Sequence, residues 1–513
     1  MVVTPTAGAH AAGGSGPPQW PMFGQNLNNT ANAPATKIGT GNVGALKPKW
    51  AFTTGGDISA RAAVVDGVAY FPDWSGHLYA IKSSSGKLVW SKTILADYLS
   101  DAFSPAPAKV VSRTSPALDT ATNTLYVGTQ KGAYLLAINA TTGALKWRTQ
   151  LDSHPLAIDT ASPAVFNGVV YVGVASLEEG AAVDSTYPCC SFRGSVMAVN
   201  ATTGAVLWKT YTVPTGYNGG AVWGSTIVPD PARGFVYATT GNNYFTPTDP
   251  DYTSCIDAGR TQEQCNSPDD HVDSVMALRI ADGTIAWSDR FATSDDWTVA
   301  CFFSGTNCPV NSGPDFDFGS GVQLFTAQTA TGPKTLIGAG QKSGVYTAID
   351  PSTGTVVWAT QVGPGSSLGG MEWGSATDGK RIYVQIANFY GIPDQVGNGT
   401  TTQGGEWAAL DAATGRIIWK VADPNGAVDL GPMTVANGVV YAASMAGGAT
   451  NKTMFGLDAA TGKTLWSYAA GSSVNAGASI ANDTVFWGSG YSNLGIPGFT
   501  GNNKLYAFSI GGQ

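Results

Sequence analysis

Apolar and polar positions alternate along this chain in short runs that stop at turn residues. The runs 168–174 (GVVYVGV) and 438–444 (GVVYAAS) are clear cases. A period of two bounded by Gly, Asn and Asp predicts β-strands. A second pattern follows each run: an Ala, six residues on a Gly, four further on a Trp. It reads AIKSSSGKLVW ending at Trp90, AINATTGALKW at Trp147, AVNATTGAVLW at Trp208 and ALRIADGTIAW at Trp287. AIDPSTGTVVW at Trp358 and ALDAATGRIIW at Trp419 follow, and GLDAATGKTLW, with Gly456 in place of Ala, ends at Trp466. The glycine predicts a tight turn, because it tolerates positive φ, and the strand after it ends on the tryptophan.

An eighth copy is divided between the two ends. KLYAFSIGGQ supplies Ala507 but no later tryptophan, and ALKPKW near the start supplies an orphan Trp50. Pairing of the last strand beside the first completes the unit and removes exposed sheet edges. Each unit has too few strands to bury its own faces, so neighbours stack and the tryptophan fills the seam. The expected fold is therefore all-β, an eight-bladed β-propeller closed by its terminal segments. Residues 1–45 read as an N-terminal extension and 46–513 as one propeller domain. A solenoid would cap its ends instead of joining them. The longest intervals between successive motif tryptophans lie between Trp208 and Trp358. A scaffold does not require such growth, so a site is expected on that side of the ring.

Composition narrows the picture. Hydrophobic residues make up 43% and charged residues only 12% of 513 residues, with 66 Gly and 15 Trp. The formal charge of −8 and the absence of a Lys/Arg cluster exclude a nucleic-acid partner. No apolar run is long enough for a membrane span. Six cysteines fall in three close pairs, Cys189/Cys190, Cys255/Cys265 and Cys301/Cys308, which predicts disulfides in an oxidising compartment. None lies in a haem-attachment motif or at zinc-finger spacing. The start of the chain has neither a basic region nor a long apolar run, and reads as a mature N-terminus whose signal peptide has been removed.

The docking repeat resembles that of the quinoprotein alcohol dehydrogenases, eight-bladed propellers that hold pyrroloquinoline quinone (PQQ) and Ca²⁺. The stretches SLEEG…PCCSFRGS, WGSTIVPDPARGFVYATTGNNY, DDWTVAC, GAGQKSGVYTAID and EWGSATDGKRIYVQIAN resemble the polyvinyl-alcohol-dehydrogenase branch in particular. The resemblance implies a set of roles. Arg113 is similar to the arginine that grips a PQQ carboxylate, suited to it by its fork of donors. Ser162 and Ser176 match hydroxyls on the quinone's polar rim, and Arg193 lies in the matching Arg-Gly. Either Glu178 or Glu179 is the calcium glutamate, a hard oxygen ligand. Cys189–Cys190 matches the fused disulfide on one cofactor face, and Trp223 the indole on the other.

Asn242, beside Asn243, matches an amide-oxygen calcium ligand. Asp295 matches the general base, itself held by calcium, with Asp296 as the alternative. Lys342 matches the basic residue that bonds the quinone carbonyl, and Trp373 and Asn388 fall near further cofactor contacts. One departure stands out. The first-blade glutamate of methanol-type members has no counterpart, and Arg61 stands there as a candidate for a cofactor carboxylate. The chain carries no cytochrome segment, so a separate cytochrome c or a dye is the expected electron acceptor. Two other readings remain: a non-catalytic propeller that binds proteins, like an outer-membrane assembly scaffold, and a propeller without quinone that binds a polyol or glycan.

Overall fold

The computed structural model describes residues 19–292 and 294–513, and the N-terminal 18 residues, where the missing signal sequence was read, lie outside them. Eight antiparallel sheets form the blades. Blade 1 comprises Ala63–Val65, Val68–Pro72, His77–Lys82 and Leu88–Thr93, and the others repeat this order. Blade 2 starts at Ala117–Asp119, blade 3 at Ala164–Phe166, blade 4 at Val228–Asp230 and blade 5 at Gln323–Thr329. Blade 6 starts at Ala376–Thr377, blade 7 at Thr434–Ala436 and blade 8 at Ser479–Ala481.

Blade 8 closes the ring as the divided repeat predicts. Its fourth strand is Leu46–Thr53, antiparallel to Lys504–Ile510, with Trp50 opposite Ala507. That is the pairing of Ala80 with Trp90 and of Ala137 with Trp147 inside continuous blades. The split motif is thus reassembled in register across the whole chain.

The docking tryptophans tie each blade to the next. Trp50 Nε1 donates to the Ser83 carbonyl at 3.0 Å, Trp90 to Ala140 at 2.9 Å and Trp147 to Ala201 at 3.0 Å. Except for Trp466, each indole also covers the repeat glycine of the following blade. A Cβ on Gly415 would stand 2.4 Å from the Trp358 ring, and its φ is +73°. The glycine is therefore required twice, for its backbone angle and for the ring above it. Apolar clusters lie between blades, as where Leu135 and Ala137 meet Val172 and Val174. The alternating run Val169–Ser176 is buried almost throughout, because inner strands have neighbours on both faces. Solvent reaches the outermost strands instead, as in Leu88–Thr93.

Residues 20–33 pack across the inner strands. Trp20 pairs with Val64 of blade 1, Asn32 bridges Val435 of blade 7, and Asn28 accepts from Leu324 of blade 5. The long connections hold short helices at Pro250–Asp257 and Gln262–Cys265 and a 3₁₀ turn at Val299–Phe303. Disulfides Cys255–Cys265 and Cys301–Cys308 close these excursions, and Cys189–Cys190 is formed as well. No helix among the described residues is long and apolar enough to cross a membrane.

Candidate active site

Loops of blades 3 to 6 converge on Lys342. It is buried, and its ammonium meets Asp315 Oδ1 at 2.8 Å and Asp317 Oδ2 at 3.2 Å. Asp317 gathers two further groups: it accepts from the Trp223 indole at 2.8 Å and from the Asn242 backbone N–H at 2.8 Å. Asp295, 2% exposed, accepts from the consecutive N–H groups of Asp315 (2.8 Å) and Phe316 (2.6 Å). Asp315 has a φ of +61°, a left-handed conformation held by these bonds. Glu179 and Glu372 face the same centre. Trp223 lies with its ring 5.3 Å from the Lys342 ammonium and 5.2 Å from Trp373.

The electrostatics follow from burial. Glu179 is pushed up to about 7 by desolvation, relieved by Lys342 and raised again by Asp317, Asp295 and Glu372. Desolvation likewise lifts Asp295 to about 6 and Glu372 to about 7, and it lifts Asp315 well above the carboxylate range. Burial opposes the charge on Lys342, yet Asp315, Asp317, Glu179 and Glu372 together hold its pKa well above normal. The carboxylates thus outnumber the cations at this centre, with Lys342 inside it and Arg113 acting on Glu372 from its edge.

The acidic pair divides its labour. Glu178, fully buried, accepts from the N–H groups of Ser191 (2.8 Å) and Phe192 (2.7 Å) and from the Tyr187 hydroxyl (2.8 Å), with His154 at 3.6 Å. It pins the loop that carries Cys189–Cys190, while Glu179 turns to the centre. Cys190 and Trp223 pack against the same apolar cluster. Asn242 donates through Nδ2 to the Trp297 carbonyl at 3.0 Å, and its buried Oδ1 has no partner. An orphaned amide oxygen beside unneutralised carboxylates is a donor set suited to a hard cation. Among the described residues no three Asp, Glu, His or Cys side chains are grouped to hold a metal. The candidate set is mixed instead: Glu179, Asp295 and the Asn242 oxygen.

Other expected residues take different places. Arg113 stacks between Trp74 and Trp373, and it donates to the Tyr491 hydroxyl. Ser162 Oγ accepts from the Ser115 N–H at 3.0 Å, and Ser176 Oγ accepts from the Glu178 N–H at 3.1 Å. Asp296 is directed away from Asp295, toward Gln262 Nε2 at 3.3 Å. Arg193 and Asn388 make local bonds. Arg193 donates through Nε and Nη2 to the Val213 carbonyl and lies 4.1 Å over Tyr211. Asn388, at φ +49°, bonds Ile392 and Gly404 and so closes its own loop.

Asp315, Asp317 and Glu372 were missed by sequence reasoning. The alternation in PDFDFG carried a signal, since two acids flanking one Phe leave an extended segment on one face. Asp273 was also missed. It is fully buried, neither carboxylate oxygen has a partner, and burial and the field of Asp295 and Asp317 raise its pKa well above normal.

Comparison with known proteins agrees with this fold. The family model described as outer membrane protein assembly factor BamB matches residues 39–290 and 341–510. A polyvinylalcohol dehydrogenase of Pseudomonas sp is 30% identical over 97% of this chain and 78% of its own. The quinohemoprotein alcohol dehydrogenase ADHIIG of Pseudomonas putida HK5 superposes with a TM-score of 0.73 at 18% identity, over 97% of this chain and 81% of that one. A europium-containing methanol dehydrogenase gives a TM-score of 0.70 at 18% identity, over 96% and 98%. With the closed eight-blade ring and the carboxylate centre beneath Trp223, these likenesses show that the chain belongs to the quinoprotein alcohol dehydrogenases, in their polyvinyl-alcohol-dehydrogenase branch.

Proposed function

We propose that this chain oxidises a secondary alcohol, a polyol or a polyvinyl-alcohol-type polymer, using PQQ held beside Ca²⁺. When bound, the quinone supplies a hydride acceptor and the ion polarises it. The protein's part is positioning and proton transfer. Glu179, Asp295 and Asn242 Oδ1 would hold the ion. Trp223 and the Cys189–Cys190 ring supply flat walls, and Arg113 offers a guanidinium to a carboxylate. Lys342, charged and fixed by two aspartates, is a rigid donor.

Asp295 takes the hydroxyl proton of the substrate alcohol. Each of its oxygens accepts one backbone N–H and keeps a free lone pair, so the carboxylate is oriented without being used up. Electrons then leave to a separate cytochrome c or a dye, and the disulfides fit a periplasmic or extracellular setting.

The single observation that carries this reading is the convergence of Trp223, Asn242, Asp295 and Glu179 on one buried lysine. The test is to titrate apo-protein with PQQ and Ca²⁺ and follow dye reduction with alcohols. Asp295→Asn is expected to keep the cofactor and lose about 10²-fold or more in turnover. Normal turnover in that variant would refute the base assignment. The absence of any reduction would leave the protein-binding propeller as the better reading. The carboxylate excess also favours a second choice of metal, a trivalent ion, which would show as activity with La³⁺ but not Ca²⁺.

A further inference from the structure

One loop begins and ends on the candidate base. Asp295 and Asp296 open it, and at its far end the Gly313 N–H donates to the Asp296 carbonyl at 3.0 Å. The next N–H groups, of Asp315 and Phe316, close on the Asp295 carboxylate. The intervening residues 297–314 include no Asp, Glu, Lys, Arg or His. Their exposed side chains are of two kinds. Phe302 (47% exposed), Phe303 (69%) and Val310 (99%) are apolar. Thr306, Asn311 and Ser312 carry a hydroxyl or an amide, and these side chains bond no described group.

This exposure is built in. Cys301–Cys308 staples the loop, and Thr298 Oγ1 donates to the Asn307 carbonyl at 2.8 Å. Asn307 Nδ2 ties it to the Ala182, Asp184 and Tyr187 carbonyls of the neighbouring blade's loop. Phe302 stands edge-on to Trp297 with ring centres 5.2 Å apart, and the Trp297 carbonyl accepts from Asn242. A loop anchored at so many points keeps Phe303 and Val310 in water, which is unfavourable unless something covers them.

The chemistry of the face narrows what that is. Apolar and hydroxyl groups without charge suit a neutral chain of alternating methylene and hydroxymethine units. Methylenes would pack on the Phe and Val side chains, and hydroxyls would bond Thr306, Asn311 and Ser312. A protein partner for a chain of formal charge −8 would be steered by charge, which this face lacks. Asp295 is buried, so a long substrate offers it one unit at a time while the neighbouring units lie outside.

We propose that loop 297–314 is a subsite for the flanking units of a neutral polyhydroxyl polymer, beside the unit whose hydroxyl Asp295 deprotonates. The subsite rests on the alcohol-oxidising reading of the same centre and adds to it where the polymer lies. Apo-protein run in a native gel containing polyvinyl alcohol should be retarded, and Phe303→Ser combined with Val310→Ser should lose most of that retardation. In dye reduction by the enzyme loaded with PQQ and Ca²⁺, the same double variant should raise the ratio of KM for polyvinyl alcohol to KM for isopropanol about tenfold. Should it fold poorly, Asn311→Ala combined with Ser312→Ala tests the hydroxyl half of the face, with a rise of about threefold expected. Retardation of a protein that oxidises no alcohol would sink the functional reading and leave the subsite standing. Unchanged retardation with an unchanged KM ratio overturns the subsite. So does a loss seen only when cytochrome c replaces the dye, which would give this face to the electron acceptor.

Discussion

Two adjacent glutamates in one turn have opposite duties, and the difference can be measured. Glu179→Gln removes a carboxylate that only the centre uses, so metal affinity is expected to fall by about tenfold or more in an isothermal titration. Glu178→Gln replaces one of the two oxygens that accept from Ser191 and Phe192 with an NH2 donor, and should cost about 1–3 kcal/mol of stability while metal affinity stays unchanged. Equal effects on metal binding would show that the pair is not divided as described. A second acid, far from the centre, sets a pH dependence. Glu406 is fully buried, and burial followed by Asp394 pushes its pKa up to about 8, with Lys420 3.6 Å away as partial relief. Its folded pKa is raised, so its contribution is fully present below pH 4.5 and is lost as pH rises toward about 8. Glu406→Gln should therefore match wild type near pH 5 and exceed it at pH 8 by on the order of 1–4 kcal/mol in denaturant melts. A variant no more stable than wild type at pH 8 would contradict this.

At the scale of one blade, the repeat glycine and the tryptophan of the preceding blade form a single device. Gly415→Ala puts a Cβ 2.4 Å from the Trp358 ring at a φ of +73°, and about 2–4 kcal/mol of destabilisation is expected. Gly67 has a similar φ of +79° but open space around it, so Gly67→Ala should cost only about 1 kcal/mol. The comparison separates steric contact from backbone strain, and equal losses would mean that the ring contact contributes nothing. This device was legible in advance because it is local: spacing places Gly at the turn and Trp at the strand end in each of the seven complete copies. The insertions were legible only as length. What their side chains reach, such as Asn307 Nδ2 bonding the Ala182, Asp184 and Tyr187 carbonyls to brace the Glu178 turn, depends on packing between different blades.

For the whole molecule, closure rests on one strand from each end of the chain. Removing residues 46–53 would uncover the edge of Lys504–Ile510 and the seam beneath Trp50. Such a truncation is expected to aggregate, whereas a permutant that joins Gln513 to a linker before Leu46 and opens between two other blades should fold. Light scattering and thermal melts distinguish the two, and a soluble, native-like truncation would show that closure is dispensable.

Sequence alone settled whatever repeats: the blade count, the register in which Trp50 meets Ala507, the three disulfide pairs and the family. Each copy carries the same short-range preferences, so one pattern is written eight times over. Tertiary structure alone decided what is brought together once. It turned Glu179 inward and Glu178 aside, joined Asp315 and Asp317 to Lys342, and bonded Arg193 and Asn388 to nearby carbonyls. Those choices depend on loops from several blades competing for the same few donors and on the dielectric of a buried centre, and neither has a period that a sequence can display.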